Sequence, residues 1–422
     1  MSKLDGYIAE QFHIEAEQLN RAVIEQEQLK RLNELLTWCK NNSMYYAGYP
    51  DSLSALDEIC TLPFLTPQML AENHQELVCV SQSEISRIVT MQTSGTSGLQ
   101  KRLYFSEHDQ QLTVDFFACG LSELNVPGDR CMILMPGNRP GGMCYLIGKA
   151  LEKLDAVPVP CGHDKSFAEM AELLQTQQVT TLVGSPVQIL SLGRYLQHFQ
   201  LSHNIKAVLV SSDYLPETVR CAIRETLQCD VYDHYGITEA GLGFSIECEC
   251  HQGLHIREND LLVEIIHPET GLPVPDGEWG EMVFTTLTRR AMPLIRYRTG
   301  DSARILPEPC TCGSVVKRMD KISGRMQQLD ADYCMPVLDE LLFQIPEIID
   351  YQARYYKTGQ KLYIYALAIA GEERLAEKIK DFLQPVLKEG HTLTLCCERL
   401  DETNRYMAKS LYAAKRTVIA EE

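Results

Sequence analysis

The sequence predicts an α/β protein. A large N-terminal domain (residues 1–324) has mostly parallel sheets covered by helices and carries a small β subdomain (about residues 245–324). A small α+β C-terminal domain (residues 325–422) follows. Three stretches predict this. From residue 131 to 232 short apolar runs alternate with helical ones, the pattern of parallel strands with crossover helices. From 248 to 304 the runs are β-rich and separated by Gly, Pro and Asp clusters, as in Pro268-Glu269-Thr270-Gly271 and Pro275-Asp276-Gly277, which reads as a small antiparallel sheet or barrel. Beyond Arg325 the order is helix, two strands, helix, strand.

Taken in order, residues 7–40 carry apolar positions at helical spacing (Ile8, Phe12, Leu19, Val23, Leu29, Leu32, Leu36) among Glu, Gln, Lys and Arg. This predicts one or two amphipathic helices that cover a domain flank or contact a partner subunit, a homodimer being one such arrangement. Thr66 is placed to cap a short helix that starts with Pro67. An extended apolar run covers 85–91, and a helix is expected from about 106 to 124. Strands are expected at 131–135, 157–160, 181–183, 207–210 and 230–232. Helices are expected at 143–154, 167–176, 186–199 and 216–227. In the last domain helices fall at 337–343 and 373–388, and strands at 351–356, 362–370 and 392–397. In parallel sheets of this kind ligands bind beyond the carboxyl ends of the strands.

The composition narrows the function. The net charge is -18, from 39 basic and 57 acidic residues. Such a surface repels phosphate backbones and argues against nucleic acid as a partner. No run of about 18 apolar residues predicts a membrane span. The segment Met1-Ser2-Lys3-Leu4-Asp5-Gly6 lacks the apolar core of a secretory signal. The 16 cysteines therefore read as reduced thiols with a few metal ligands among them, and the expected compartment is the cytoplasm. No Gly-X-Ser-X-Gly elbow supports a serine hydrolase.

Three motifs carry chemistry. Thr93-Ser94-Gly95-Thr96-Ser97-Gly98 follows the extended run and is followed by Lys101 and Arg102. Its glycines let backbone N–H groups converge, its hydroxyls add donors, and two cations stand just beyond, which suits polyphosphate oxygens. It lacks the Gly-Lys-Ser/Thr ending of a Walker loop. Asp233-His234-Tyr235-Gly236-Ile237-Thr238-Glu239 follows a strand. There a flat aromatic beside Gly236 can stack on a base, Thr238 can meet a phosphate, and Glu239 can hold Mg²⁺. Tyr297-Arg298-Thr299-Gly300-Asp301 offers a carboxylate after a tight turn, able to accept from both ribose hydroxyls or to pair with Arg298. Gly324-Arg325 marks the change of domain.

In this order and spacing, and together with the segments 62–67 and Gly253-Leu254-His255, these motifs resemble the superfamily of adenylate-forming acyl-CoA synthetases, and within it the phenylacetate-CoA ligase branch. The resemblance covers roughly residues 55–330 well and the rest loosely. It implies an ATP-dependent carboxylate–CoA ligase that makes an acyl-AMP and passes the acyl group to coenzyme A. The acid would be small and aromatic. Thr93, Ser94, Gly95, Thr96, Ser97 and Gly98 would bind the β- and γ-phosphates, Tyr235 would stack on adenine, and Thr238 would contact the α-phosphate. Glu239 would hold Mg²⁺, and Asp301 the ribose, with Arg325 nearby. Ser211-Ser212-Asp213 stands where the family runs Gly-Ala-Glu beside the adenine, so Ser212 and Asp213 are candidates. His234, Tyr145, Gly141 and Gly142 are candidates for the acyl pocket, with core packing as the alternative for Tyr145.

Two positions depart from the family. Gln327 replaces an acidic hinge residue two places after Arg325, where the C-terminal domain would turn. Ala413 stands where the family carries a lysine that neutralises the α-phosphate; Lys409 or Lys415 lies close, and Lys415 is the nearer, beside Arg416.

A second constellation is Cys248-Glu249-Cys250-His251, His255 and Cys310-Thr311-Cys312, two groups of soft ligands able to form a tetrahedral zinc site. The family resemblance selects Cys248 and His255, with Cys250 as rival to Cys248, alongside Cys310 and Cys312. Four protein ligands leave no open position, so the zinc would be structural. Two other readings stay open at this stage: acyl transfer to a carrier-protein thiol, and a nucleotide-binding module that has lost adenylation. Ala413 and Gln327 favour the second of these.

Overall fold

The computed structural model describes all residues except 1, 93–99, 163, 323, 327–331, 370–373, 401–415 and 422. It divides into two compact units, residues 1–123 with 234–326, and residues 124–233 with 327–422. The fold is α/β, as the strand–helix alternation predicts.

The first unit opens with α1 (Lys3–Phe12), whose Ser2 and Asp5 form a reciprocal capping box, and α2 (Arg21–Asn42), capped by Asn20. Both lie where helical spacing predicts them, and their buried stripes include Ile8, Phe12, Leu32 and Leu36. Thr66 accepts from the Met69 N–H and caps α3 (Pro67–Asn73), with Pro67 at its first turn. Strands β1 (Ile85–Gln92) and β2 (Gln100–Ser106) pair antiparallel down to Gln92 opposite Gln100. The sequence does not foresee β2; its Gln-Lys-Arg start masks a strand whose last four side chains are all buried. Helix α4 (Glu107–Leu121) begins at a Ser106–Asp109 capping box.

The chain then builds the second unit. Strands β3 (Arg130–Ile133), β4 (Val157–Pro160), β5 (Thr181–Gly184), β6 (Ala207–Val210) and the start of β7 (Asp230–Tyr235) alternate with α5 (Met143–Glu152), α6 (Phe167–Thr176), α7 (Pro186–His198) and α8 (Glu217–Leu227). The strands are all parallel, in the order β4-β3-β5-β6-β7. β5 and β6 are buried along their whole length, as continuous apolar runs covered on both faces should be.

Back in the first unit, the last two residues of β7 pair antiparallel with β8 (Ser245–Glu247), which pairs with β9 (Leu254–Ile256). β10 (Leu261–Ile266), β11 (Gly280–Thr286) and β12 (Tyr297–Ala303) form an antiparallel sheet, the small sheet expected for this region. β13 (Arg318–Met319) joins β9, and β14 (Gly324–Arg325) joins β12. One core, from Leu32 through Phe244 and Phe284 to Met319, holds this unit together.

In the second unit α9 (Met335–Leu342), β15 (Ile348–Tyr356), β16 (Lys361–Ala368), α10 (Leu375–Leu383), β17 (Thr392–Arg399) and β18 (Ile419–Glu421) complete the chain. Their sheet runs β17-β16-β15-β18. These elements share a hydrophobic core with α6, α7 and α8. The Arg194 guanidinium of α7 donates to the Ile348 and Phe343 carbonyls, and Ser191 donates to Ile349 O at 2.7 Å. The first turn of α8 has no side-chain cap of its own; the Glu340 carboxylate accepts from the Glu217 and Thr218 N–H groups at 2.6 and 3.0 Å. The Arg416 guanidinium lies between Asp339, at 2.8 Å, and Asp350, and Tyr351 donates to Asp339 at 2.6 Å. No described helix is long and apolar enough to cross a membrane.

Candidate functional site

The first unit gathers two carboxylates, each with its own cation and phenol. Glu239 reaches its place because β7 ends at Tyr235 and the chain turns at once. Gly236 permits the turn: a Cβ there would lie 1.7 Å from the Leu242 carbonyl oxygen. Ile237 then leads a single 3₁₀ turn, Thr238–Ala240, which ends at Gly241 in left-handed conformation (φ +82°). Glu239 is buried. Its Oε1 accepts from Lys101 Nζ at 2.5 Å and from Tyr297 OH at 3.0 Å. Arg289 donates to its backbone carbonyl at 2.7 Å. Burial would push the carboxyl pKa up, but the Lys101 ammonium and the hydrogen bonds from Lys101 and Tyr297 outweigh it and hold the pKa below the ordinary range. Glu239 is therefore an anion in a dry setting.

Asp301 stands inside β12, not behind a turn as the sequence suggests. β11 places Glu281 opposite Ser302 and Val283 opposite Arg298, so Thr299, Gly300 and Asp301 bulge between them. Gly300 takes φ +73°, which misleads a sequence reading toward a turn. Asp301 lies opposite Arg325 in the β12–β14 ladder, and Arg325 Nε meets Asp301 Oδ1 at 2.9 Å. Tyr235 OH donates to Asp301 Oδ2 at 2.6 Å. Arg298, the other partner the motif allows, pairs instead with Glu281. Burial first, then the Asp301 charge, pushes the Tyr235 phenol far up, so it stays a proton donor. Tyr297 behaves likewise beside Glu239.

Of the other expected residues, Thr238 is half-buried on the 3₁₀ turn beside Glu239. Ser212 and Asp213 lie in the second unit, beyond the end of β6. Ser212 has φ +74° and reaches Met135 Sδ at 3.6 Å, and Asp213 accepts from the Tyr214 N–H at 2.9 Å. Thr93, Ser94, Gly95, Thr96, Ser97, Gly98, Gln327, Lys409, Ala413 and Lys415 lie outside the described residues. Sequence reasoning reads Lys101 as a cation for polyphosphate oxygens and assigns no role to Tyr297 or Arg289. Lys101 and Tyr297 stand in the quoted motifs, but only the fold shows that both side chains turn inward onto one carboxylate.

His234, expected near an acyl pocket, is buried at the end of β7 against Phe117, ring centroids 5.9 Å apart, and Phe116. Burial, then the charge of Arg257, lowers its pKa from 6.5 to about 4. A base depressed in the folded state stabilises the fold fully above about pH 6.5, and that contribution is lost as pH falls toward 4. The shift corresponds to about 3 kcal/mol. Between pH 7 and 4 the wild type should lose about that much more unfolding free energy than His234→Gln. Parallel denaturant titrations measure the difference, and equal losses would exclude His234 as the titrating group.

The second constellation also assembles. Cys248, His255, Cys310 and Cys312 bring their ligand atoms within 4.8 Å of one another. Cys248 Sγ and Cys310 Sγ are 3.7 Å apart, and Cys312 Sγ lies 3.6 Å from His255 Nε2. A tetrahedral ion with metal–sulfur bonds of about 2.3 Å needs sulfur–sulfur edges of about 3.8 Å, so these distances fit zinc. Cys250 is left out. The backbone N–H of Cys250 faces the Cys248 thiol, that of Cys312 faces Cys310, and that of Ser314 faces Cys312; each favours a thiolate. Burial still pushes Cys248 up, whereas the N–H and thiol donors bring Cys310 below its usual value. Among the described residues this is the one group of three or more metal-ligating side chains. Among the described residues Glu239 belongs to no group of three or more metal-ligating side chains, which suits a Mg²⁺ ion that takes its remaining ligands from phosphates and water.

The chain and its fold have relatives. The chain is 28% identical over 357 residues to the phenylacetate-coenzyme A ligase of Thermus thermophilus, covering 79% of this chain and 78% of that one. It is 26% identical over 356 residues to the phenylacetate-coenzyme A ligase of Pseudomonas putida, covering 80% and 79%. Its fold matches that of 2-hydroxyisobutyryl-CoA ligase, solved in the postadenylation state with R3-HIB-AMP. The TM-score is 0.79 over 96% of this chain and 91% of that one, at 19% identity. The profile of the AMP-binding enzyme family matches residues 22–287. That match spans more than half of the sequence and takes in Lys101, Tyr235 and Glu239, and the chain belongs to the AMP-binding enzyme family.

Proposed function

We infer that the protein is an ATP-dependent carboxylate–CoA ligase. The acid's carboxylate oxygen attacks the α-phosphorus of ATP, the bond to the β-phosphate oxygen breaks, and pyrophosphate leaves. The coenzyme A thiol, losing its proton, then attacks the acyl carbon and expels AMP. The observation that carries this reading is the pair of carboxylates, Glu239 and Asp301, each fixed by a buried network in one unit. Asp301 would take the ribose hydroxyls, Tyr235 with Gly236 the adenine, and Thr238 the α-phosphate. The 93–98 loop would bind the β- and γ-phosphates, with Ser212 and Asp213 near the base. A Mg²⁺ ion at Glu239 would neutralise phosphate charge. The relatives' names support a small aromatic acid as substrate and coenzyme A as acceptor. A carboxylate panel scored by pyrophosphate release, with and without coenzyme A, tests the function. No release with any acid, but intact ATP binding, would favour the nucleotide-binding module.

Cys248, His255, Cys310 and Cys312 would hold one structural Zn²⁺. Residues 326–422 would rotate about the segment after Arg325 between the two half-reactions. With Ala413 unable to supply charge, Lys415 would meet the α-phosphate during adenylation. Lys415→Ala should then slow acyl-AMP formation by about 100-fold and change thioester formation from preformed acyl-AMP much less, since only the first step expels pyrophosphate. Separate assays of the half-reactions on Lys415→Ala and Lys409→Ala decide between the two lysines.

A further inference from the structure

Lys101 is 6% exposed and spends its charge on Glu239. Its ammonium also lies 3.4 Å from the Tyr297 hydroxyl, so lysine, phenol and carboxylate form one buried triad. The other charges nearby are matched too. Arg325 pairs with Asp301. Arg289, which holds the Glu239 carbonyl, feels the charge of Asp109, and its own pKa is lowered to about 10 by burial. Among the described residues Glu239 and Asp301 are thus each paired with a resident cation. A free divalent ion finds no net negative charge to draw it in, and at Glu239 it would stand beside an ammonium with little water between them to screen the repulsion.

A nucleotide changes this balance. Its polyphosphate brings several negative charges, and an ammonium on a four-carbon stem can turn to a phosphate oxygen without leaving the neighbourhood. The vacated carboxylate oxygen is then open to the metal. We propose that Lys101 and a divalent ion compete for the Glu239 carboxylate, so that metal enters the site only together with a nucleotide whose phosphates take the lysine. This rests on the reading of Glu239 as the magnesium ligand. The consequence is ordered loading: the binary metal–protein complex is weak, and metal is held firmly only together with the nucleotide.

The test uses Mn²⁺ as the probe, on zinc-loaded full-length protein, followed by water-proton relaxation enhancement. Wild type should bind Mn²⁺ alone at least tenfold more weakly than it binds Mn²⁺ with ATP. Lys101→Met and Lys101→Gln, the second keeping a hydrogen-bond donor without the charge, should bind Mn²⁺ alone at least tenfold more tightly than wild type. Adding Glu239→Gln to either should abolish that gain. The proposal is overturned if wild type binds Mn²⁺ equally well with and without ATP, or if neither lysine variant, folded by circular dichroism, gains affinity. The wild-type comparison decides the matter even if both variants misfold. Undiminished Mn²⁺–ATP binding by Glu239→Gln alone would instead overturn the magnesium role of Glu239.

Discussion

Replacing Glu239 by glutamine is expected to lower pyrophosphate release by about 100-fold or more, because a neutral amide is a poor ligand for Mg²⁺. A stability cost should accompany the loss. Lys101 is buried, and without the carboxylate the Tyr297 hydroxyl is the side-chain partner it keeps among the described residues. Breaking a buried ion pair from one side costs about 3–5 kcal/mol. A fold of ordinary stability, about 5–15 kcal/mol, absorbs that at 25 °C. The variant should therefore be folded, less heat-stable and inactive in the first half-reaction. Acyl transfer from preformed acyl-AMP to coenzyme A should be much less affected. Near-normal pyrophosphate release would remove Glu239 from the mechanism.

Purified protein should contain one zinc per chain, and removing it should lower the melting temperature far more than it changes turnover. A ligand present at a thousand times its dissociation constant stabilises by about 4 kcal/mol. At about 2–4 °C per kcal/mol for a unit of this size, chelation should cost roughly 8–16 °C. The four donors come from the stretches around β8, β9 and the turn before β13, so the ion would tie together short strands of two or three residues. With all four positions filled by protein, no substrate can reach the metal. Elemental analysis, chelator-dependent melting and Cys310→Ser measure this. A protein without zinc and with all these thiols free to titrate would sink it.

Local pattern was enough to locate most of the scaffold. The Thr66 cap before Pro67 and the short buried runs of β5 and β6 are signals a few residues long, and each element they mark is present. What could not be read is what depends on distant pairing. β2 starts with Gln-Lys-Arg, and only its partner β1 makes it a strand. Asp301 looks like a turn residue because Gly300 precedes it; the bulge exists only against β11. The cysteine cluster was legible because metal sites reuse a few residue types at close spacing, although only the fold removes Cys250. The pairing of Lys101 with Glu239 joins residues 138 positions apart, and no periodicity reports it.

The docking of the 335–369 stretch onto α7 and α8 bears on timescale. Arg194 and Ser191 hold carbonyls of Phe343, Ile348 and Ile349, and Glu340 caps the first turn of α8. A C-terminal segment that rotates between half-reactions must break these bonds in every cycle and leave α8 without its cap. Each neutral bond is worth about 1 kcal/mol net and each charged one about 1.5–3. These bonds together make a latch that such a rotation has to open. The Glu217 and Thr218 amides are its natural clock: their hydrogen–deuterium exchange should quicken when acyl-AMP draws the segment away, and should slow again once the thioester has left.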